Sequence, residues 1–246
     1  MIHVRPDWAW AFFFDIDGTL IEIAETPRAA QVDSALQRLI VDLHSATSGA
    51  VALITGRSLV DVDRLFPTIL LPAAGQHGVE RRDAQGRVSH HAFPSQRLEW
   101  AHRQLNQAVE AHPGLLLEHK GLSLALHYRR APDLEEYAEG LARSLLPRLG
   151  SRYCIQSGKS VVELKPAGKD KGVAIQEFMQ EEPFQGRTPV FVGDDATDEF
   201  GFAMVNRLQG YSVKVGTGAT VAGFRLQDVG LVRAWLERGL SPTAGS

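Results

Sequence analysis

The sequence predicts an α/β fold: a mainly parallel sheet covered by helices, interrupted by an inserted α+β module with an antiparallel sheet. Three observations carry this. Short apolar runs such as Phe12-Phe13-Phe14 are too brief for helices and do not alternate, as expected of strands buried on both faces. Each such run ends at a polar or glycine-rich turn, and several lead into a helical pattern. Between about residues 81 and 165 this texture gives way to pairs of short strands and two longer helical patterns.

Taken in order, Ala11 to Phe14 form the first strand, which stops at Asp15-Ile16-Asp17-Gly18-Thr19. Asp33 is a candidate N-cap for a helix that places Leu36, Leu39, Ile40 and Leu43 on one face. After Gly49, Ala50 to Ile54 read as a second buried strand, ending in Thr55-Gly56-Arg57-Ser58 before a helix with Leu59, Val62 and Leu65. A third apolar segment, Ile69 to Ala74, ends at Gly75-Gln76-His77-Gly78. The insert follows: a turn at Asp83 to Gly86, a helix from about Ser95 to His112, and strands at Leu115 to Glu118 and Leu122 to Tyr128. A helix from about Pro132 to Leu146 and strands at Tyr153 to Gln156 and Ser160 to Leu164 complete it. The first texture then returns. Asp170 opens a helix, Pro189 to Val192 read as a fourth buried strand ending at Gly193-Asp194-Asp195-Ala196-Thr197-Asp198, and Ser212 to Val215 form a further strand. A helix from about Val229 to Arg238 closes the fold, and Ser241 to Ser246 read as a disordered tail.

Composition narrows the function classes. With 246 residues, 44% of them apolar, and a net charge of −3, the chain can bury a core but offers no broad nucleic-acid-binding surface. Cys154 is the sole cysteine, which excludes an internal disulfide and fits a reducing compartment. The apolar stretch Trp8 to Phe14 is too short to span a bilayer. A cytoplasmic monomer acting on a small molecule, without nucleic-acid or membrane partners, is expected.

The strand ends bring together Asp15 and Asp17, Thr55, His77 with its glycines, and Asp194, Asp195 and Asp198, with Lys171 at a helix start. In parallel sheets ligands bind beyond the carboxyl ends of strands. Two carboxylates at one spot repel, so one takes a proton or a cation joins them. Hard oxygen donors suit Mg²⁺, and a metal, a lysine and a hydroxyl together suit phosphoryl transfer to an aspartate nucleophile. Alone, Asp15 and Asp17 also fit a calcium-binding turn or the acidic pair of a glycosyltransferase. Thr55 could merely cap a helix, and Lys171 could be a surface lysine.

These motifs resemble those of the haloacid dehalogenase (HAD) superfamily: the DxDGT strand end Asp15 to Thr19, Thr55-Gly56-Arg57, Lys171, and the acidic turn Gly193 to Asp198. The resemblance implies a Rossmann-like core, with Asp15 as nucleophile, Asp17 as general acid/base, and Thr55 and Lys171 as phosphate holders. It further implies Mg²⁺ held by Asp15, Asp194 and the backbone carbonyl of Asp17, with Asp195 and Asp198 orienting metal-bound water or Lys171. The chain is similar, nearly throughout, to trehalose 6-phosphate phosphatases. That similarity rests on Gly75 to Arg82, Glu118 to Gly121, Ala125 to Arg129, Val161 to Pro166, Gly193 to Glu199 and Gly216 to Thr220. It implies a core of residues 1–80 and 166–246 and a sugar-recognising cap of residues 81–165. Gly56, Arg57, Gln76, His77 and Gly78 from the core, and Glu118, Lys120, His127, Lys159 and Glu163 from the cap, are then the candidate substrate contacts. A phosphatase for another sugar phosphate, such as sucrose 6-phosphate, is the alternative enzyme, and a phosphate-accepting signalling module is the non-enzymatic one. Outside these motifs, His90 and His91 read as surface, and Trp100 as part of the insert's core.

Overall fold

The structure is a computed structural model that describes residues 5–91 and 95–240; the expected C-terminal tail, 241–246, lies outside them. The chain begins with β1 (Trp10–Phe14), α1 (Ser34–Ala46), β2 (Val51–Ile54), α2 (Leu59–Leu65), β3 (Ala73–Gly75), β4 (Glu80–Arg82) and β5 (Val88–His90). It continues through α3 (Gln96–Ala111), β6 (Leu116–His119), β7 (Leu124–His127), α4 (Glu135–Leu149), β8 (Tyr153–Gly158) and β9 (Val161–Pro166). It ends with α5 (Lys171–Phe178), β10 (Thr188–Gly193), α6 (Glu199–Arg207), β11 (Tyr211–Val215), β12 (Phe224–Leu226) and α7 (Val229–Leu240). Two compact units result, Met1–Ser89 with Asp170–Ser246, and His90–Lys169. The crossover to the second unit falls later than residue 81, because β4 pairs antiparallel with β3 and extends the first unit's sheet.

The first unit is built on an eight-stranded sheet of order β12-β11-β10-β1-β2-β3-β4-β5, parallel from β12 to β3. β1 is buried at all five positions and alternates its side chains between two cores. Phe12 and Phe14 face one core with Leu39, Ile40 and Leu43 of α1 and Val232 and Trp235 of α7. Phe13 faces the other with Ile175 and Phe178 of α5 and Phe202 of α6, its ring stacked 5.4 Å from Phe184. Helices on both faces of a parallel sheet explain why the strands read as unbroken apolar runs. From β1 the chain winds outward to β2 and β3 on one side, and after the insert it fills β10, β11 and β12 on the other. The strand order therefore reverses between β1 and β10, the place where such sheets open a crevice at their carboxyl ends.

The expected N-caps are present: Asp33 accepts from Leu36 N and Asp170 from Val173 N. Four elements were not named in the sequence reading: β4 and β5, of which only the turn between them was read, α6 and β12. α6 begins inside the acidic turn, and β12 has only three residues, too few for a pattern to show.

The second unit holds a four-stranded sheet of order β6-β7-β9-β8, antiparallel throughout. α3 and α4 cover one face, burying Leu98, Ala101, Leu105, Ala138, Ala142 and Leu145 against Leu124, Leu126, Val162 and Leu164. Trp100 packs partly buried against this core, with the Arg148 guanidinium 4.2 Å from its ring. The alternate positions on β7 and β9, among them Ala125, His127, Glu163 and Lys165, belong to the opposite face. No helix among the described residues is long and apolar enough to cross a membrane.

Candidate active site

Asp15 follows β1 directly, and its N–H still donates to Val192 O on β10 at 3.0 Å, so its side chain emerges at the switch between the two strands. The loop turns at once: Gly18 takes φ +79 and donates to Ile21 O at 2.7 Å. A Cβ on Gly18 would lie 2.2 Å from Asp194 Oδ2, so the absent side chain is what lets the end of β10 approach. The carboxylates of Asp15, Asp194 and Asp198 offer oxygens within 4.8 Å of one another.

Lys171, the first residue of α5, lies among them, 2% exposed. Its Nζ is 3.0 Å from Asp15 Oδ1 and donates to Asp198 Oδ1 at 2.6 Å. Asp198 is fully buried, and its other oxygen accepts from the N–H groups of Asp194 and Asp195, each at 2.9 Å. Both Asp198 oxygens are thus occupied, which makes it a holder of Lys171 and of the acidic turn. Asp195 accepts from Ala196 N at 2.6 Å and caps the same turn. Lys214 of β11, which the sequence reading passed over, donates to the backbone carbonyl of Asp194.

Burial pushes the Asp15 carboxyl well above the usual carboxylate range, Lys171 works against this, and the charges of Asp198, Asp194 and Asp17 add to it. Burial alone would lower the Lys171 ammonium, but Asp15 and Asp198 outweigh it and hold it protonated. One ammonium cannot neutralise three neighbouring carboxylates. The surplus of hard oxygens matches what a divalent cation requires, and Asp15 and Asp194 are the side chains fit to hold one.

The neighbouring strand ends interlock. Thr55, 1% exposed at the end of β2, donates its N–H to Ala74 O at 2.9 Å, and its Oγ1 accepts from Arg57 N at 3.2 Å. Gln76 and His77 beyond β3 both take left-handed backbone, φ 47 and 57, and donate to Arg57 O and Thr55 O at 2.8 and 2.9 Å. Two successive non-glycine residues in that region are strained, and such strain collects at functional loops. Gly56 has no room for a side chain, since a Cβ there would meet His77 Nε2 at 2.8 Å. Gly78 continues the same turn with φ 93.

Arg57 forms a two-pronged pair with Asp17: Nε donates to Asp17 Oδ2 and Nη2 to Oδ1, both at 2.6 Å, while Nη1 donates to Pro27 O at 2.9 Å. The sequence placed both residues near the phosphate but could not foresee this two-pronged pair.

On the second unit, cross-strand register aligns Glu118, Ala125, Glu163 and Gln156 in one row. His127 Nε2 lies 2.9 Å from Glu118 Oε2. Lys120 Nζ donates to Glu163 Oε2 at 3.0 Å and Ser123 Oγ to Glu163 Oε1 at 2.6 Å. Four of the five expected sugar contacts therefore meet on one face. Lys159 lies on the β8–β9 hairpin, at the end of β9 where Val161 pairs with His127, and its carbonyl accepts from Arg129. Gln156 and Ser123 join the row without having been foreseen; alternation along each strand, counted from Glu163, would have pointed to Gln156.

A parallel core with acid at its switch point and an inserted antiparallel module is the architecture of the HAD superfamily phosphatases. The fold superposes on one such phosphatase, from Bacteroides thetaiotaomicron, with a TM-score of 0.62 over 94% of this chain and 96% of that one, at 14% identity. The family profile "Trehalose-phosphatase" matches residues 13–229, and the chain belongs to this family of enzymes. It is 49% identical over 229 residues to the trehalose-6-phosphate phosphatase of Escherichia coli K12, covering 93% of this chain and 85% of that protein. The C-terminal domain of the Candida albicans trehalose-6-phosphate phosphatase shares the fold, with a TM-score of 0.82 over 93% and 91% of the two chains at 24% identity.

Proposed function

We propose that this chain hydrolyses trehalose 6-phosphate to trehalose and inorganic phosphate in the cytoplasm, with Mg²⁺ as cofactor and an aspartyl-phosphate on Asp15. The observation that carries the chemistry is the cluster of buried Asp15, Lys171 and Asp198 with half-buried Asp194 at the point where the strand order reverses. The sugar assignment rests on the likeness to the trehalose-6-phosphate phosphatase of Escherichia coli and on the polar row of the second unit.

Mg²⁺, held by Asp15, Asp194 and the Asp17 carbonyl, would cancel the repulsion between a carboxylate nucleophile and a phosphate dianion. Lys171 and Thr55 hold the phosphoryl oxygens, and Asp198 fixes Lys171 for that task. A carboxylate oxygen of Asp15 forms a bond to phosphorus as the bond from phosphorus to the sugar oxygen breaks, and Asp17 delivers a proton to that oxygen. A water then gives its proton to Asp17 and attacks phosphorus, which frees the Asp15 carboxylate and inorganic phosphate. Asp17 cannot act as an acid while Arg57 occupies both its oxygens. Arrival of the phosphate offers Arg57 another anion, and its transfer releases Asp17 to take up the proton it needs. Glu118, Lys120, His127 and Glu163 are assigned to the sugar hydroxyls.

Phosphate release measured in parallel from trehalose 6-phosphate, glucose 6-phosphate and sucrose 6-phosphate tests this. Strong preference for the trehalose ester, lost in Asp15→Asn, is the expected result. Equal rates on all three would overturn the sugar assignment alone, and no release from any would overturn the catalytic reading.

A further inference from the structure

The helix-covered side of the second unit carries a cluster that the phosphatase chemistry does not use. Glu99 and His102 lie three residues apart on α3, a spacing that puts both on one face, with Asn106 one turn further along. His119 ends β6 and turns toward them: its Nε2 is 3.5 Å from Glu99 Oε1, and its ring meets that of His102 edge-on at 4.8 Å between centroids. One ligand atom from each of the three residues falls within 4.8 Å of the others.

We propose that Glu99, His102 and His119 form a binding site for a divalent transition-metal ion of the zinc class. Two imidazoles and one carboxylate are borderline donors that favour such ions over Mg²⁺, and three protein ligands leave the remaining position to water. The elements that present them are fixed. Ser95 caps α3 by accepting from Leu98 N, and Leu98, Ala101 and Leu105 anchor the opposite flank of that helix in the core. β6 is held by its four-residue register with β7. The cluster is half open to solvent, so an ion can enter without unfolding anything.

Binding has a local consequence. His119 Nδ1 accepts from Gly121 N–H at 3.1 Å, which in a neutral ring places the proton on Nε2. A metal taken by Nε2 moves that proton to Nδ1, where it faces the Gly121 N–H and breaks the hydrogen bond. The turn that follows His119 therefore registers the ion. His102 Nε2, 3.3 Å from the Asn106 amide, exchanges that weaker contact for the metal.

The test is a Zn²⁺ titration of the whole protein kept in excess Mg²⁺, which fills the hard-oxygen site, followed by calorimetry and by the amide resonance of Gly121. The wild type takes up one ion with a shift at Gly121. His102→Ala and His119→Ala each weaken uptake about tenfold or more, as loss of a metal-site residue does, whereas His112→Ala does not. His102→Gln serves as the milder variant, and a rise in Tm with Zn²⁺ in the wild type that is lost in His102→Gln reports the same site. Zn²⁺ uptake that is absent in the wild type, or that is equal in the wild type and both alanine variants, overturns the proposal.

Discussion

β1 buries Trp10 to Phe14 against cores on both of its faces, whereas β9 turns Val162 and Leu164 toward helices and Glu163 and Lys165 to the other side. A strand covered on both faces has no room for polar side chains along its length, so its chemistry is displaced to its end. A strand covered by helices on one face can carry chemistry all along the other. The first arrangement gathers catalytic groups into short contiguous motifs and fixes them through backbone; the second spreads recognition groups over alternate positions of several strands. Under the proposed function, the first serves a reaction common to many phosphate esters and the second the part of the substrate that differs.

Asp15→Asn should break the core side of this comparison most completely, lowering kcat on trehalose 6-phosphate by on the order of 10⁴-fold or more, since the residues act as a unit. Asp17→Asn should cost about 10²- to 10⁴-fold, the range of a lost general acid. It should also leave Arg57 without its carboxylate fork. Single-turnover measurements on both variants check these values. On the recognition side, Glu163→Gln should lower kcat/KM for trehalose 6-phosphate by about 10- to 100-fold, the worth of one hydrogen bond to a charged group. Steady-state kinetics would show the loss.

The difference between the two regions also sets what was legible in the sequence. Asp15, Asp17, Thr55 and the acidic turn stand at the ends of apolar runs, where a break in pattern marks them, whereas Lys171 opens a helix and only the resemblance singled it out; the structure sets Lys171 beside those strand ends in the first unit. The N-caps Asp33 and Asp170 were equally readable, because a cap is a local device. Pairings that need three dimensions were not. Nothing in spacing joins Arg57 to Asp17 across forty residues, or Lys214 to the Asp194 carbonyl. On the second unit, Glu118 and Glu163 lie far apart in sequence and only the register of β6, β7 and β9 sets them in one row. Resemblance found them where pattern could not.

Smaller effects sharpen the contrast. Gly18→Ala should cost about 1–3 kcal/mol through its positive φ and its collision with Asp194, with activity falling along with stability; thermal unfolding and kinetics together check this. The smallest effect is a pH dependence. Burial works to raise the Glu118 carboxyl, but the hydrogen bond from His127 and the charges of Lys120 and His127 outweigh it and hold it below its ordinary value of 4.5. A carboxyl lowered by folding stabilises the fold above 4.5, and that contribution fades as pH falls through the folded value. Unfolding curves of wild type and Glu118→Gln should therefore converge in acid and separate above it.

If the core performs a reaction indifferent to the sugar while the polar row of the second unit selects it, the two substitutions on that row should act on selectivity rather than on chemistry. The direct measurement is the ratio of kcat/KM for trehalose 6-phosphate to that for glucose 6-phosphate, in the wild type and in Glu118→Gln and Glu163→Gln. The ratio should collapse in both variants because the trehalose ester slows while the glucose ester does not. Equal slowing on both esters, or an unchanged ratio, would contradict it.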